Sequence, residues 1–532
     1  MSPWLITPGS KLTSRRVVMD GATAIANILK MEGVDFIGCI PSSPLIEAAA
    51  IAGIRPIVFR QERTGVHTAD GFSRVNNGKR NGIFLMQSGP GVENSFGGVA
   101  QAYADSVPVL LFPASAARRR HGTDRVFSPS NSYESITKWA AQIDFADRVP
   151  ELMRRAYTQL RSGKPGPVLL EIPQDVAAAE ISEEAFDYEP PGTIRTAADP
   201  EAVARAARAL LSAQRPVIHA GQGVLYAEAT EELMQLAEFL QIPVMTTLEG
   251  KSAFPENHPL SLGVGGSSQT GAVHRFLTSA DLVFGVGVSF MKSNFTVPIP
   301  AGKTLIHATN SERDINQEYK SQYPVVVDAK LVLRQFLEEL KQQAGASGRP
   351  TDQALIDEIR SANDEWLAQW MPKLTSEETP INPFRVTWEL SQLVNPDETV
   401  VLHDAGSVRG SICQHYTATV PHSFIGYGVQ SSMGWSLGAA MGAKMAAPEK
   451  LVIAVTGDEA FGETGFDLET AAANDIPILV VLKNNRAHGS DPERSAVRAA
   501  KIRPVGDYAA MARALGVRAT RVEDPEALGE TL

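Results

Sequence analysis

Cysteine is scarce in this chain of 532 residues, which has only Cys39 and Cys413. Two cysteines cannot build a disulfide framework, and we interpret both as buried thiols in a reducing compartment. No stretch approaches the roughly eighteen uninterrupted apolar residues of a membrane span, and residues 1–14 lack the long apolar segment of a signal peptide. The formal net charge of −11 argues against a nucleic-acid binder, which normally presents a basic face. We therefore expect a cytoplasmic protein without membrane or nucleic-acid partners.

Short runs rich in Val, Ile and Leu alternate with longer amphipathic segments along the chain. Clear examples are VPVLLFPA at residues 107–114 and LVIAVTGD at residues 451–458. Continuous apolar strands separated by helices are typical of a parallel sheet that is covered on both faces. The pattern therefore predicts an α/β fold.

Two segments rich in proline and charge, near residues 186–200 and 341–382, indicate linkers. They divide the chain into three consecutive doubly wound parallel-sheet domains, which are predicted at residues 15–185, 197–340 and 380–532. The last domain ends in RVEDPEALGETL, which resembles the start of a helix and then stops. Because a domain of this type needs a further strand, we expect a C-terminal piece to be missing.

The segment GDEAFGETGFDLETAAANDIPILVVLKNN, residues 457–485, indicates a metal site. One predicted strand ends at Asp458, a helix begins near Phe461, and the next strand ends at Asn485. Because the ends of adjacent parallel strands lie side by side, Asp458 and Asn485 can converge on one ion. Carboxylate, amide and backbone carbonyl oxygens suit Mg²⁺, which also binds diphosphate oxygens. Either residue alone would more often be a surface Asp or a turn Asn, but the pair on successive strand ends predicts magnesium.

This motif resembles the signature of enzymes that depend on thiamine diphosphate (ThDP). The resemblance implies Mg²⁺ ligation by Asp458, Asn485 and the carbonyl of Ala487, with Gly457 beside the cofactor. It covers essentially the whole chain, in the order pyrimidine-binding, central and diphosphate-binding domains. In such enzymes the cofactor lies between two subunits, so a homodimer is the expected minimum and a homotetramer is common. One departure is Glu459, a second carboxylate where the family usually has a small residue.

The segment RQERTGVHTADGFSR, residues 60–74, resembles the family's pyrimidine-binding block. The resemblance implies that Glu62 is catalytic and hydrogen-bonds the aminopyrimidine ring of ThDP, which promotes deprotonation of the thiazolium carbon. Such a carboxylate should be partly desolvated. A lone Glu after a strand would more often be solvated, and the surrounding match favours the catalytic interpretation.

The segment GVQSSMGWSLGAAMGAK, residues 428–444, resembles the stretch that lies under the cofactor. The resemblance implies that Met433 holds the two rings of ThDP in a V and that the Ser431 carbonyl accepts from the 4′-amine. Plain core packing is the alternative for Met433. The diphosphate side of the cofactor is expected to be formed by Asp404, Gly406 and Ser407.

The sequence resembles two subfamilies that catalyse different reactions. The central segment at residues 220–263 looks like acetohydroxyacid synthase, but GVGVSFMKSNFT, residues 285–296, lacks the F-D-D-R loop of those synthases. We therefore do not expect FAD, and the central domain is predicted to bind another adenine nucleotide, CoA or nothing. The sequence from Gly457 to Thr470 resembles that of 2-hydroxyacyl-CoA lyases. In those enzymes a glutamate on a short helix shuttles the proton, a role that falls here to Glu493.

The prediction is a 2-hydroxyacyl-CoA lyase of the actinobacterial type, with Phe127 and Pro492 bordering its acyl pocket. It would reversibly cleave a short acyl-CoA such as 2-hydroxyisobutyryl-CoA to formyl-CoA and a ketone or aldehyde. For Glu493 the alternative is an ordinary acid at a helix start, where it favours the dipole. For the whole chain the alternatives are an acetolactate-synthase-like enzyme or decarboxylase acting on free 2-oxoacids, and a non-catalytic subunit with the ThDP fold.

Overall fold

The computed structural model of the protein describes residues 19–41, 43–266, 268–486 and 505–532. A parallel sheet of six strands forms the centre of the first domain. The elements of this domain are α1 (Gly21–Met31), β1 (Phe36–Cys39), α2 (Pro44–Ile51), β2 (Arg55–Val58), α3 (Glu62–Val75), β3 (Gly82–Met86), α4 (Pro90–Ala104), β4 (Val109–Ser115), α5 (Pro129–Tyr133), β5 (Trp139–Gln142), α6 (Val149–Arg161), β6 (Val168–Pro173) and α7 (Gln174–Ala177). The strand order is β2-β1-β3-β4-β6-β5. The apolar strands β3 and β6 are buried along their whole length because helices cover both faces of the sheet.

The central domain contains a second parallel sheet of six strands. Its elements are α8 (Pro200–Ser212), β7 (Pro216–Ala220), α9 (Gln222–Tyr226), α10 (Thr230–Leu240), β8 (Val244–Thr246), β9 (Ser261–Val264), α11 (Gly271–Ser279), β10 (Leu282–Val286), β11 (Thr304–Thr309), β12 (Tyr323–Val326) and α12 (Ala329–Ala344). The strand order β12-β11-β10-β7-β8-β9 reverses direction between β7 and β10. Open α/β sheets bind ligands at the carboxyl ends of the strands beside such a reversal.

The third domain has a parallel sheet of four strands and follows the long helix α13 (Gln353–Leu374). Its elements are α14 (Pro383–Leu393), β13 (Thr399–His403), α15 (Ser407–His415), β14 (Phe424–Ile425), α16 (Trp435–Ala446), β15 (Leu451–Gly457), α17 (Asp458–Thr464), α18 (Leu468–Ala473), β16 (Leu479–Lys483), α19 (Tyr508–Ala514) and α20 (Leu528–Thr531). The strand order is β14-β13-β15-β16, so the reversal falls between β13 and β15. Both strands therefore end at the edge where a ligand is expected.

The prediction of three consecutive parallel α/β domains is confirmed, and each sheet lies inside one of the three predicted ranges. One local prediction was wrong. The helix expected near Phe461 begins at Asp458, because the chain turns into helical geometry directly after the extended Gly457. Among the described residues, no helix is long and apolar enough to cross a membrane.

Several helices begin at a polar residue followed by proline, and this local sequence explains where they start. Ser43, Asp199 and Asn382 each accept a hydrogen bond from a backbone N–H of the first turn of α2, α8 and α14. Proline follows each of them, at a helical position where its missing N–H costs nothing. These caps set the ends of surface helices and leave the interior positions to apolar residues.

Helices α3 and α16 join the first domain to the third through close contact of their backbones. A Cβ built on Gly438 would lie 2.6 Å from the carbonyl oxygen of Thr64, and one on Gly442 would lie 2.0 Å from that of Thr68. Both distances are shorter than any van der Waals contact, so only glycine allows the helices to approach this closely. The interface fixes the helix that carries Glu62 against the third domain.

Candidate active site

Glu62 is the first residue of α3, and its side chain is buried although it is a carboxylate. The residue is 7% exposed, and the Asn94 amide donates a hydrogen bond of 3.3 Å to its Oε2. A Cβ built on Gly91 would lie 2.9 Å from its Oε1. The glycine therefore leaves the space that this carboxylate occupies. Glu62 has the desolvated surroundings that its predicted role requires.

The residues on either side of Glu62 tie the start of α3 to the third domain. Arg60 forms an ion pair with Glu469, and Arg63 forms one with Glu463. The backbone N–H of Arg60 donates a hydrogen bond of 2.8 Å to Oδ1 of Asp467. Because Asp467 is buried, this bond fixes the backbone turn that leads into Glu62.

Asp458 and Asn485 come together at the ends of the neighbouring strands β15 and β16, as the sequence predicted. Asp458 is 3% exposed, and its Oδ1 accepts a hydrogen bond of 3.1 Å from the N–H of Glu459. Its Oδ2 accepts one of 2.9 Å from the N–H of Arg486, the residue after Asn485. Burial raises the pKa of the Asp458 carboxyl. A cation bound there would favour the ionised form.

Asp404, predicted on the diphosphate side, is fully buried, and both of its oxygens are in use. Oδ1 accepts from the N–H of Gly434 at 3.1 Å, while Oδ2 accepts from the N–H of Ser436 at 2.9 Å and from its hydroxyl at 2.6 Å. Asp404 therefore holds β13 to the start of α16. Gly406 has a φ of 78°, and both Gly406 and Ser407 are exposed at the start of α15. Their contact with the cofactor stays a prediction.

The loop that carries Ser431 and Met433 is anchored by the first domain. The N–H of Ser432 donates a hydrogen bond of 2.7 Å to Oε1 of Gln101, which lies near the end of α4. The hydroxyl of Ser431 donates one of 3.2 Å to the Tyr427 hydroxyl. Met433 is half-buried, so part of its side chain remains accessible, as the proposed support of a cofactor requires.

Sequence reasoning assigned no role to Arg74, which lies at the centre of a buried polar network. Its guanidinium pairs with Asp70 at 2.6 Å and with Asp105 at 2.9 Å, and it donates to the carbonyl of Gly426 at 2.8 Å. The indole N–H of Trp435 donates to Asp70 at 3.2 Å. Two signals of this network were present in the sequence: the i, i+4 spacing of Asp70 and Arg74, and their place in the segment 60–74 that resembles the family block.

The remaining predicted site residues fall partly outside the described structure. Ala487, Pro492 and Glu493 lie in the segment 487–504, which is not among the described residues. Their roles stay predictions. Phe127 is half-buried and packs against a core cluster of the first domain that also contains Val92 and Tyr133. Its place beside an acyl pocket also stays a prediction.

A cavity lies at the carboxyl ends of β7 and β10 and continues to the first domain. Two of its lining residues are closely packed glycines, since a Cβ built on Gly221 would lie 2.3 Å from the Gly287 carbonyl oxygen. His219 lines it, is 5% exposed, and has no hydrogen-bond partner for either ring nitrogen. Asn310 donates to the carbonyl of Gly163 at 3.0 Å. The adenine nucleotide or CoA predicted for this domain stays a prediction.

The residues present fit ThDP and Mg²⁺. Asp458 offers hard oxygen atoms after β15, beside the reversal of strand order in the third sheet, and Asn485 offers one after the neighbouring strand β16. The buried carboxylate of Glu62 can hydrogen-bond a ring nitrogen. Together these groups can hold a metal-bound diphosphate and a polar heterocycle.

Three family descriptions match the chain in the order of its domains. Residues 19–142 match "Thiamine pyrophosphate enzyme, N-terminal TPP binding domain" and residues 203–336 match "Thiamine pyrophosphate enzyme, central domain". Residues 404–532 match "Thiamine pyrophosphate enzyme, C-terminal TPP binding domain". The matched regions contain Glu62 in the first domain and Asp458 and Asn485 in the third.

Similar proteins cover nearly the whole chain. A probable acetolactate synthase large subunit from Methanocaldococcus jannaschii is 31% identical over 545 residues, with 97% of this chain and 89% of the relative covered. The corresponding protein of Methanococcus aeolicus is 29% identical, with the same two shares covered, 97% and 89%. Acetolactate synthase isozyme 3 large subunit from Escherichia coli is 29% identical, with 89% of this chain and 83% of the relative covered.

Proposed function

The chain belongs to the thiamine pyrophosphate enzyme family, and within that family we propose that it acts on free 2-oxoacids in the manner of an acetolactate synthase. The reaction would join two molecules of pyruvate, with loss of CO₂, to form acetolactate. The observation that carries this proposal is the similarity to acetolactate synthase large subunits over 97% of the chain. A match of this length includes all three domains.

This proposal replaces the 2-hydroxyacyl-CoA lyase as the preferred interpretation. The lyase interpretation depended on the resemblance of the sequence from Gly457 to Thr470, on the missing F-D-D-R loop, and on Glu493, which lies outside the described residues. The relatives with the acetolactate synthase name instead support the second interpretation, action on free 2-oxoacids.

Some residues of this chain would activate ThDP, and others would bind it. ThDP, when bound, supplies the electron sink for the carbon–carbon bond that breaks beside the carbonyl. Glu62 would hydrogen-bond the aminopyrimidine ring, and its burial shields that contact from water. Asp458 and Asn485 would hold Mg²⁺ with the diphosphate. Met433 would support the bent cofactor.

We also propose the homodimer that the family resemblance implies. The carboxylate of Glu62 itself contacts groups of its own domain, Asn94 and Gly91 of α4. Exposed Phe96 and Tyr103 lie on the same helix, at 42% and 39% exposure. An apolar exposed face beside a catalytic carboxylate suits coverage by a second copy. Light scattering of the purified protein would give a mass of two or four chains, and a monomer with full activity would contradict the proposal.

Product analysis tests the proposed reaction. The protein is incubated with ThDP, Mg²⁺ and pyruvate, and in parallel with 2-hydroxyisobutyryl-CoA. Acetolactate and CO₂ from pyruvate are the expected products. If 2-hydroxyisobutyryl-CoA gave formyl-CoA and acetone while pyruvate gave no product, the enzyme would be a 2-hydroxyacyl-CoA lyase instead.

A variant of Glu62 tests the site in the same assay. Glu62→Gln keeps the shape of the side chain and removes its acid, so we expect a loss of about 100-fold or more in product formation. Glu201→Gln is the matched control, because the side chain of Glu201 is 87% exposed on α8. Equal activity of the two variants would remove Glu62 from catalysis.

A further inference from the structure

Arg409 is a largely buried cation without an anionic partner among the described residues. Its Nε and Nη1 atoms are screened from solvent and have no hydrogen-bond partner. The guanidinium lies over the ring of Phe295, with 3.9 Å between its central carbon and the ring centroid. Buried charges in proteins are normally paired, since an unpaired one loses hydration without compensation. Among the described residues nothing occupies these two nitrogens, so they are available to an anionic ligand.

The charges nearest to Arg409 do not neutralise it. The groups that act on it electrostatically are Tyr427 and Cys413. Burial raises the pKa of the Tyr427 hydroxyl well above its usual value and that of the Cys413 thiol to about 12. Both groups are therefore uncharged at neutral pH, and the guanidinium keeps its full charge.

Arg409 lies next to the predicted cofactor site. It belongs to the first turn of α15, two residues after Ser407. The neighbouring Val408 approaches Gly457, where a built Cβ would lie 3.7 Å from its Cγ2. Tyr427, which acts on Arg409, accepts the hydrogen bond from Ser431. Arg409 thus belongs to the helix that begins at Ser407, and Tyr427 links it to the loop that carries Ser431.

The central domain contributes an aromatic residue that packs against Arg409. Phe295 belongs to the segment between β10 and β11, lines the cavity described above, and stacks on Arg409. In the same segment the Ser293 hydroxyl donates a hydrogen bond of 3.5 Å to the carbonyl of Gly428. The stacked ring restricts the orientation of the guanidinium. The guanidinium therefore lies beside the cavity that Phe295 lines, between the central and first domains. A substrate that enters through the cleft would meet its free nitrogens.

We propose that Arg409 binds the carboxylate of the 2-oxoacid substrate, an inference that rests on the proposed function. A planar guanidinium pairs with a carboxylate through two parallel hydrogen bonds, and its stacking on Phe295 fixes the orientation. The cofactor diphosphate has the same anionic chemistry. Its charge, however, would be offset by the ion at Asp458 and Asn485, whereas the substrate carboxylate has no other cation assigned to it.

Three variants test the assignment. Arg409→Gln removes the charge, Arg409→Lys keeps it without the paired donors, and Arg313→Gln changes an exposed arginine as the control. We expect the pyruvate KM of Arg409→Gln to rise about 10- to 100-fold, with Arg409→Lys between it and the wild type. Thermal unfolding of each variant establishes that it is folded.

Two further measurements separate carboxylate binding from a general structural role. The inhibition constant of methyl pyruvate, which has no carboxylate, should be the same for Arg409→Gln and the wild type. The Kd of ThDP, followed by quenching of tryptophan fluorescence without substrate, should also be unchanged. A rise in that Kd with a normal pyruvate KM would assign Arg409 to the diphosphate and overturn the proposal.

Two other results would refute the role of Arg409 or the proposed function itself. A pyruvate KM that is unchanged in Arg409→Gln, in a wild type that forms acetolactate, would refute the role of Arg409 alone. A wild type that forms neither acetolactate nor CO₂ from 2-oxoacids would refute the proposed function and this inference with it.

Discussion

Replacing Arg74 with methionine should destabilise the contact between the first and third domains. The arginine is 4% exposed and lies between Asp70 and Asp105, which are 1% and 4% exposed. Methionine fills a similar volume but supplies no charge and no donor. The two carboxylates and the carbonyl of Gly426 would then be buried without their main partner. The variant tests whether this network holds the loop that leads to Ser431.

The expected magnitude follows from the burial of the partners. Breaking a buried ion pair by removing one member costs about 3–5 kcal/mol, because an uncompensated charge remains. For a domain of this size, each kcal/mol lowers the Tm by about 2–4 °C. The transition of Arg74→Met should therefore fall by about 6–20 °C. Arg313→Met, at an exposed position, should change stability by about 0.5 kcal/mol or less.

The loss should also depend on pH, with a sign that burial determines. Burial raises the pKa of Asp105, and the charge of Arg74 opposes that rise. Without Arg74 the folded-state pKa moves further above the unfolded value. The protonated carboxyl is tolerated at low pH, and stability is lost as the pH rises through the folded-state pKa. The deficit of Arg74→Met should therefore be larger at pH 8 than at pH 5.5.

Differential scanning calorimetry at the two pH values measures both quantities, with the ThDP Kd as the functional readout. We also expect the Kd of ThDP to rise, because the loop after Gly426 loses its hydrogen bond to Arg74. A Tm within about 2 °C of the wild type at pH 8 would refute the energetic reasoning. An equal deficit at both pH values would show that the carboxylates are not the source of the loss.

Two further predictions concern the metal and the helix contact. Asp458→Asn should raise the Mg²⁺ concentration for half-maximal activity by about tenfold or more, since the amide loses the charge that binds the ion; a requirement equal to that of the wild type would remove Asp458 from the metal site. Gly442→Ala should cost about 1–3 kcal/mol in thermal unfolding, because its Cβ would lie 2.0 Å from the carbonyl oxygen of Thr68. Gly192→Ala, where nothing lies within 4 Å, is the control, and equal Tm values would contradict the tight contact.

The parts of the fold that repeat a local pattern could be predicted from the sequence. The buried runs became parallel strands, and the ends of β15 and β16 brought Asp458 beside Asn485. Asp404 shows where this reasoning stops. It follows a strand just as Asp458 does, yet its oxygens bind Gly434 and Ser436, which are about thirty positions away in the sequence. Such a contact depends on how a distant turn packs, and no local spacing encodes it.

The motif at residues 60–74 explains why the family could be recognised more easily than the reaction. Within this segment, Glu62 has the burial expected of an activating carboxylate, whereas Asp70 and Arg74 hold the third domain. Most of the resemblance therefore describes a scaffold that every member needs, whichever bond it makes or breaks. Substrate choice must depend on residues that face the cleft, such as Arg409 and Phe295. Because these two belong to different domains, their pairing appears only in the folded chain.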